Sequence, residues 1–414
     1  MGAVVLLLAT GPAQALIGTA YQMQLGNPSN ATADTNNHDH HLIQRTVQAL
    51  DYSDNLREPN WASWDLTASD LGSSGRNSSF YTDSTLPPNF YWVKTTDYSG
   101  SGYDRGHMCP SADRTDSTTN NKLVFYMSNI VPQTPDNNRD VWASLEDYCR
   151  TLAEAGDELL ITCGPSGFDG SRIDASGQVY IPGYVWKIIV VVSPGSGMAV
   201  NRIDSSTRVI AVNIPNIAGI RSDPWTNYLT CVNQIQANTG FTFFSALSAD
   251  VATVLRAKVD GAPVEGITGF APMTGTANTC VVINGTNFAT ASTVTFNGMP
   301  APCTVNSSNQ ITAFVPADAT TGPIGVVGAG GLATSVSNFT VTGSTPLLSI
   351  ASTSSNSLVI SWPSQATSYV LQQNSNPGTA NWEDVTNEVS VMGAANRVIV
   401  SPATGACFFR LYQP

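Results

Sequence analysis

The chain has 414 residues, an average apolar content of 42%, only 12% charged residues and a formal net charge of −12. Its length exceeds one ordinary domain, so two or three are expected. The acidity excludes a protein that holds nucleic acid passively on a broad basic face, so any chemistry on a polyanion needs locally placed arginines or a metal ion.

At the N-terminus, "MGAVVLLLATGPAQALIG", an apolar run from Ala3 to Ala9 precedes Ala13-Gln14-Ala15, a small-x-small cleavage pattern. The expectation is a signal peptide over 1–15 and export to the medium or the cell envelope. No later segment approaches the ~20 apolar residues of a membrane span. Three of the four histidines, His38, His40 and His41, stand in "HDHH" after the polar stretch "GNPSNATADTNN". A surface loop is expected there in preference to a transition-metal site.

The fourth histidine, His107, stands alone among charges in "YDRGHMCPSADR", residues 103–114. "NKLVFYMSN", 121–129, has the composition of a strand and runs into the turn-forming "IVPQTPDN". "NRDVWASLEDYCRTLAEA", 138–155, has helical periodicity, with Val141, Trp142, Leu145, Tyr148, Cys149 and Leu152 on one apolar side. Asn137 is the expected N-cap and Gly156 the expected stop. Asn138, Trp142, Glu146 and Arg150 follow at four-residue steps, which places them near one face. Asn138 and Glu146 are then about 12 Å apart along the axis. Read alone, this is first an ordinary amphipathic helix with its polar residues in solvent; the other reading is a hydrated divalent ion over the middle of the helix, reached by the Asn138 amide oxygen directly and by Glu146 through the ion's waters. Magnesium suits such a site, because it prefers oxygen ligands and keeps several waters. Farther on, "DELLITCG" and "VWKIIVVVSP" read as strands.

Charge divides the chain near residue 260. Residues 1–260 hold 16 of the 18 Lys and Arg and 25 of the 30 Asp and Glu, a net of −9. The remainder is rich in Thr, Ser, Asn, Gly, Ala and Val, with short β-type runs between Gly, Pro and Asn turns, the pattern of a β-sandwich. It divides again at "TGSTP", 342–346, before a second small all-β unit. The tail has no cluster of acids, histidines or cysteines suited to catalysis. Spacer or adhesion modules are expected, with glycan or the cell envelope as candidate partners. The seven cysteines form no CxxC pair, which argues against a structural zinc site. In an exported chain some should pair, and Cys280 with Cys303, flanking one short β-rich segment, is the expected bridge.

"SGYDRGHMCPSADR", "FYMSNIVPQ" and "NNRDVWASLEDYCR" together resemble the DNA/RNA non-specific endonucleases, whose nuclease motif is a ββα-metal finger. Looser similarity extends over about residues 25–260. Segment 265–342 resembles an IPT/TIG immunoglobulin-like domain in "GFAPMTG", "VVINGTNF", "VTFNG", "ITAFVPADATTGPI" and "NFTV". Segment 346–414 is similar to small fibronectin-III-like modules. The resemblance implies an α+β fold: a ββα-metal nuclease domain over 16–260 with mixed sheet and helices, then two small all-β sandwiches.

It also implies roles. His107 would be the general base, taking a proton from water near neutral pH. Asn138 would be the single protein ligand to Mg²⁺, with Mn²⁺ as a substitute, and the adjacent Asn137 is its rival for that place. Asn129 would orient His107 or the attacking water, and Glu146 would fix the metal's water shell. Arg105, Arg150 and Arg76 would grip phosphate, whose oxygens a guanidinium matches bidentately. Asp104 would tie down the motif strand, Gly106 would permit close backbone approach, and Cys109 would be a buried small side chain. The substrates implied are DNA and RNA alike, since with water as nucleophile the 2′-OH takes no part. Two other readings remain: a surface adhesin or matrix-binding protein with a degenerate nuclease scaffold, and a secreted nuclease toxin.

Overall fold

The computed structural model describes residues 20–414 except 174–176, 343–345, 354–356, 365, 367–368, 394, 402–406 and 413–414. The expected signal peptide lies outside the described residues, as does most of the expected junction at 342–346.

The first unit is α+β, built on a seven-stranded sheet. Its strands are β1 (His41–Gln44), β2 (Ala49–Ser53), β3 (Glu58–Leu66), β6 (Glu158–Ser166), β7 (Tyr184–Val192), β8 (Arg208–Pro215) and β9 (Leu229–Thr230), paired in that order and antiparallel throughout. Among the described residues of this unit, parallel pairing is confined to isolated bridges, Thr32 with His41 and Tyr81 with Tyr126. The central strands are buried on both faces, which is why β7 reads as the nearly unbroken apolar run "YVWKIIVVV". Alternation sends Val185 and Ile189 into the core on one face, and Trp186, Ile188 and Val190 into the core on the other. Helices α3 (Val232–Thr239) and α4 (Ala249–Ala257) cover the second face through Val232, Ile235, Ala252 and Leu255.

The first face carries the motif. A hairpin pairs β4 (Asp104–His107) with β5 (Ile130–Gln133) in antiparallel register, His107 opposite Ile130 and Asp104 opposite Gln133. Helix α2 (Trp142–Glu154) follows, burying Trp142, Leu145, Cys149 and Ala153 against the sheet. These are the i, i+3, i+7 and i+11 positions, one stripe of an amphipathic helix. Two strands and a helix therefore stand together as a ββα unit.

Three local expectations are corrected here. The 121–129 segment is not a strand: α1 (Thr118–Leu123) takes its first residues, and a tight turn, Met127–Asn129, leads into β5. The reason is the cap at Ser117, whose hydroxyl accepts from the Asn120 N–H at 3.1 Å and nucleates a helix. Asn137 is not an N-cap. Helical backbone begins at Pro135 after Thr134, whose carbonyl accepts from the Asn138 N–H at 2.9 Å. Proline suits a first helical turn because its missing N–H costs no hydrogen bond there. A widened π-type turn, Asn137–Val141, then joins this start to α2. Gly156 does stop the helix, at φ +107°.

The third correction is the Cys280–Cys303 bridge. Both cysteines lie in one sheet, but strand Gln310–Phe314 runs between their two strands. Two strand spacings, about 9.6 Å, exceed the ~7 Å between Cα atoms that a disulfide spans. All seven cysteines are unpaired thiols.

The tail is all-β. Sheets of four and five strands over Gly266–Val341 enclose Phe270, Ile283, Phe288, Phe296, Val326 and Phe339. Sheets of four and three strands beyond Ser349 enclose Ile360, Trp362, Leu371 and Val398.

Candidate active site

Five of the seven candidate residues meet in one cavity of about 180 Å³. Arg76, Arg105, His107, Asn138 and Glu146 line it, with Pro110, Ser111, Ala112 and Ala143 completing its walls. His107 ends β4 and is only 7% exposed. Its ring stands edge-on to Phe125, centroids 4.7 Å apart, and 5.2 Å from Phe80. Its Nε2 is buried without a hydrogen-bond partner. Burial, with the charge of Arg76 adding to it, pushes the imidazole down to about 3. The ring is therefore neutral and proton-accepting across physiological pH.

Two guanidinium groups stand beside it. Arg105 lies over the Phe80 ring at 4.8 Å and Arg76 over Phe125 at 5.1 Å. Among the described residues neither is paired with a carboxylate, so both are free to meet an anion.

The first residues of the helical segment supply oxygen donors. Asn138 gives its Nδ2–H to Asp104 at 3.0 Å. Since a carboxylate only accepts, this fixes which end of the carboxamide is which and keeps Oδ1 out of that bond, on a residue that lines the cavity. Asp104 is itself clamped by Arg139, which donates to it at 2.7 and 2.6 Å. Burial pushes the Asp104 carboxyl up, but the bonds from Arg139 and Asn138 outweigh it and hold it below the usual range. Asn137, the rival ligand, is fully buried, accepting from Gln133 at 2.8 Å and donating to the Pro215 carbonyl at 2.9 Å. Both of its amide ends are used, away from the cavity. Gly106 has a steric role: a Cβ there would lie 1.8 Å from Gln133 Oε1.

Two candidates act elsewhere. Asn129 is not among the cavity's lining residues; its amide is bonded to backbone. Its Nδ2 donates to the Cys109 and Val124 carbonyls at 2.9 and 2.8 Å, and its Oδ1 accepts from the Cys109 N–H at 3.1 Å. It holds the backbone just after His107. Arg150 does not line the cavity: it pairs with buried Asp113 at 2.9 Å and with Asp147. Each four-residue step turns a helix about 40°, so by the third step the side chain has left the face Asn138 presents.

Glu146 is shaped by a residue that motif reading missed. Lys187, on β7, is 1% exposed and places Nζ 3.7 Å from Glu146 Oε1. Burial pushes Glu146 up to about 7, and Lys187 is the main influence opposing it. The available signal was a single lysine inside an otherwise apolar strand. Cys109 is buried and its thiol is pushed far up by burial, so it is no nucleophile.

The histidine cluster is dispersed among separate partners. His38 pairs with Asp54 at 2.7 Å, His40 with Asp51 at 2.8 Å, and His41 bonds the Asp34 carbonyl at 3.1 Å. His41 is buried and opens β1, so the expected loop ends one residue early. Among the described residues no three acidic, histidine or cysteine side chains group as a metal cage. The cavity instead offers one carboxamide oxygen and one carboxylate, a sparse all-oxygen set that fits a cation keeping most of its own water, as magnesium does.

A family model for DNA/RNA non-specific endonuclease matches residues 26–250, and one for the IPT/TIG domain matches 266–342. A protein called "Nuclease" from Nostoc sp. is 46% identical over 237 residues, covering 57% of this chain and 85% of that protein. Nuclease C1 of Cunninghamella echinulata is 29% identical over 245 residues, covering 56% and 90%. Human mitochondrial nuclease EXOG is 30% identical over 217 residues, covering 49% and 56%. By the extent of these matches, the chain belongs to the DNA/RNA non-specific endonuclease family, a family of hydrolytic nucleases, and carries an IPT/TIG domain after its nuclease domain.

Proposed function

We propose that the protein is an exported, Mg²⁺-dependent endonuclease that hydrolyses phosphodiester bonds of both DNA and RNA, with His107 as general base and Asn138 as the one protein ligand of the cation. The observation that carries this reading is the meeting, in one small cavity, of an imidazole with an unpartnered nitrogen, a carboxamide, a carboxylate and two uncommitted guanidinium groups. Each has a task. Arg76 and Arg105 bind the scissile phosphate's oxygens. Their charge is then offset, so a bound phosphate removes the part of the lowered His107 basicity that Arg76 causes, and its own negative charge favours the protonated ring. His107 Nε2 accepts the proton of the attacking water. Asn138 would hold the ion directly, and Glu146 would hold it through its waters. The ion, when bound, supplies charge neutralisation at phosphorus and at the departing oxygen.

The handle is the backbone phosphate, which is shared by all sequences and by both sugars. Export rests on the apolar run 3–9 and the Ala13-Gln14-Ala15 pattern. Among the described residues no helix is long and apolar enough to cross a membrane. The two β-modules are taken as spacers or as contacts to glycan or the cell envelope.

The test is digestion of plasmid DNA and of RNA by the full chain, by the chain in EDTA, and by His107→Ala. Both nucleic acids should be cut, EDTA should abolish cutting, and His107→Ala should lose about 10²–10⁴-fold or more. Cutting at the wild-type rate by the chelated enzyme or by the variant would overturn the mechanism.

A further inference from the structure

Lys187 occupies a place where an apolar side chain would be expected. Every other residue of β7 is apolar or tyrosine, and Lys187 shares its face of the sheet with Val185 and Ile189, beneath α2. There its ammonium meets two side chains one helical turn apart: the Trp142 ring, with Nζ 4.1 Å from its centroid, and Glu146 Oε1 at 3.7 Å. Trp64 closes the other side at 5.8 Å. Among the described residues the Lys187–Glu146 contact is the one salt bridge either side chain makes, with Arg150 acting on Glu146 from farther away. A buried charge is costly unless partnered, so this lysine is retained for the carboxylate it touches. That carboxylate lines the cavity that also holds His107 and Asn138.

We propose that Lys187 is a positioning residue of the cation site: clasped between two tryptophans, its ammonium pins the Glu146 carboxylate from the protein side and so keeps its remaining oxygen turned to the waters of a hydrated divalent cation. The proposal rests on the assignment of Glu146 to those waters. Without the ammonium, the carboxylate loses its one close ion partner and the contact that fixes it from the protein side. An ammonium also repels a cation, but the cation stands on the open side, where water screens that repulsion, whereas the Lys187–Glu146 contact is enclosed.

The test uses the full chain and no substrate: calorimetric titration with Mg²⁺ of wild type, Lys187→Met, Glu146→Gln and the double variant. Methionine keeps the unbranched apolar stem and removes the charge. Lys187→Met should weaken Mg²⁺ binding about 10–100-fold, the effect of losing a group that orients a ligand, while retaining a cooperative melt. In the Glu146→Gln background the same change should have almost no further effect, because a residue acting through Glu146 couples fully to it in a double-mutant cycle. Should Lys187→Met not melt cooperatively, Lys187→Gln is measured in its place with the same expectations. Unchanged or tighter Mg²⁺ binding by the neutral variant overturns the proposal. So does an equal loss in the Glu146→Gln background, which would mean that packing alone is at work. Wild-type Mg²⁺ binding by Glu146→Gln overturns the assignment of Glu146 itself, a separately visible failure.

Discussion

Asp104→Ala separates the orientation of the proposed metal ligand, Asn138, from the stability of the fold. The change removes one hydrogen bond from Asn138, at 3.0 Å, and two from Arg139, at 2.7 and 2.6 Å. The Arg139 side chain is 61% exposed, so that ion pair is worth at most about 1 kcal/mol. The Asn138 bond, to a charged acceptor, is worth about 1.5–3 kcal/mol. It also decides which end of the carboxamide meets the cavity. Once released, the amide can turn over and present N–H to a cation. At about 1.4 kcal/mol per factor of ten, losing that bond's hold on Oδ1 weakens cation binding by about 10–100-fold. The melting temperature should fall by about 3–16 °C, at about 2–4 °C per kcal/mol for the ~1.5–4 kcal/mol removed, with unfolding still cooperative. The assay is a Mg²⁺ titration of activity and of calorimetric binding beside a thermal melt. An unchanged half-saturating Mg²⁺ concentration would refute the reasoning, as would a collapse in stability large enough to explain the loss by itself.

Gly106→Ala forces Gln133 aside, since the new Cβ would stand 1.8 Å from its Oε1; thermal melts should show a loss of about 1–3 kcal/mol. Arg150→Ala leaves Asp113 buried without its ion partner, so it should destabilise the fold by about 3–5 kcal/mol. Arg105→Ala, at an exposed and unpaired guanidinium, should leave the melt unchanged and raise KM for nucleic acid. Glu146, pushed up to about 7, is protonated below that pH and ionised above it. Mg²⁺ affinity of the free enzyme should therefore rise with pH between about 6 and 8, and Glu146→Gln should flatten that rise.

The local half of the site was legible in the sequence. DRGH and the helix bearing Asn138 and Glu146 are short segments whose spacing survives folding, and all of their cavity-lining residues lie within 45 positions of one another. Arg76, placed by resemblance alone, also reaches the cavity. Arg150 was misplaced because four-residue steps accumulate rotation. Asn129 was misjudged because an asparagine in a motif looks the same whether its amide meets a water or closes a loop of backbone. The strand expected over 121–129 failed because apolar composition was weighed above the Ser117 cap. Lys187 could not be assigned from spacing: it belongs to none of the motif segments and stands in an otherwise apolar strand, and only the packing of α2 on β7 brings it to Glu146. The cysteine bridge failed for a related reason, since proximity in sequence says nothing about which strand lies between two others.

The most direct measurement is an anomalous-difference map from crystals soaked in Mn²⁺. The account predicts one strong peak in the cavity, about 2 Å from Asn138 Oδ1, with Glu146 reached through water and His107 standing apart with its Nε2 uncoordinated. A peak bound by His107, or one outside this cavity, would contradict it.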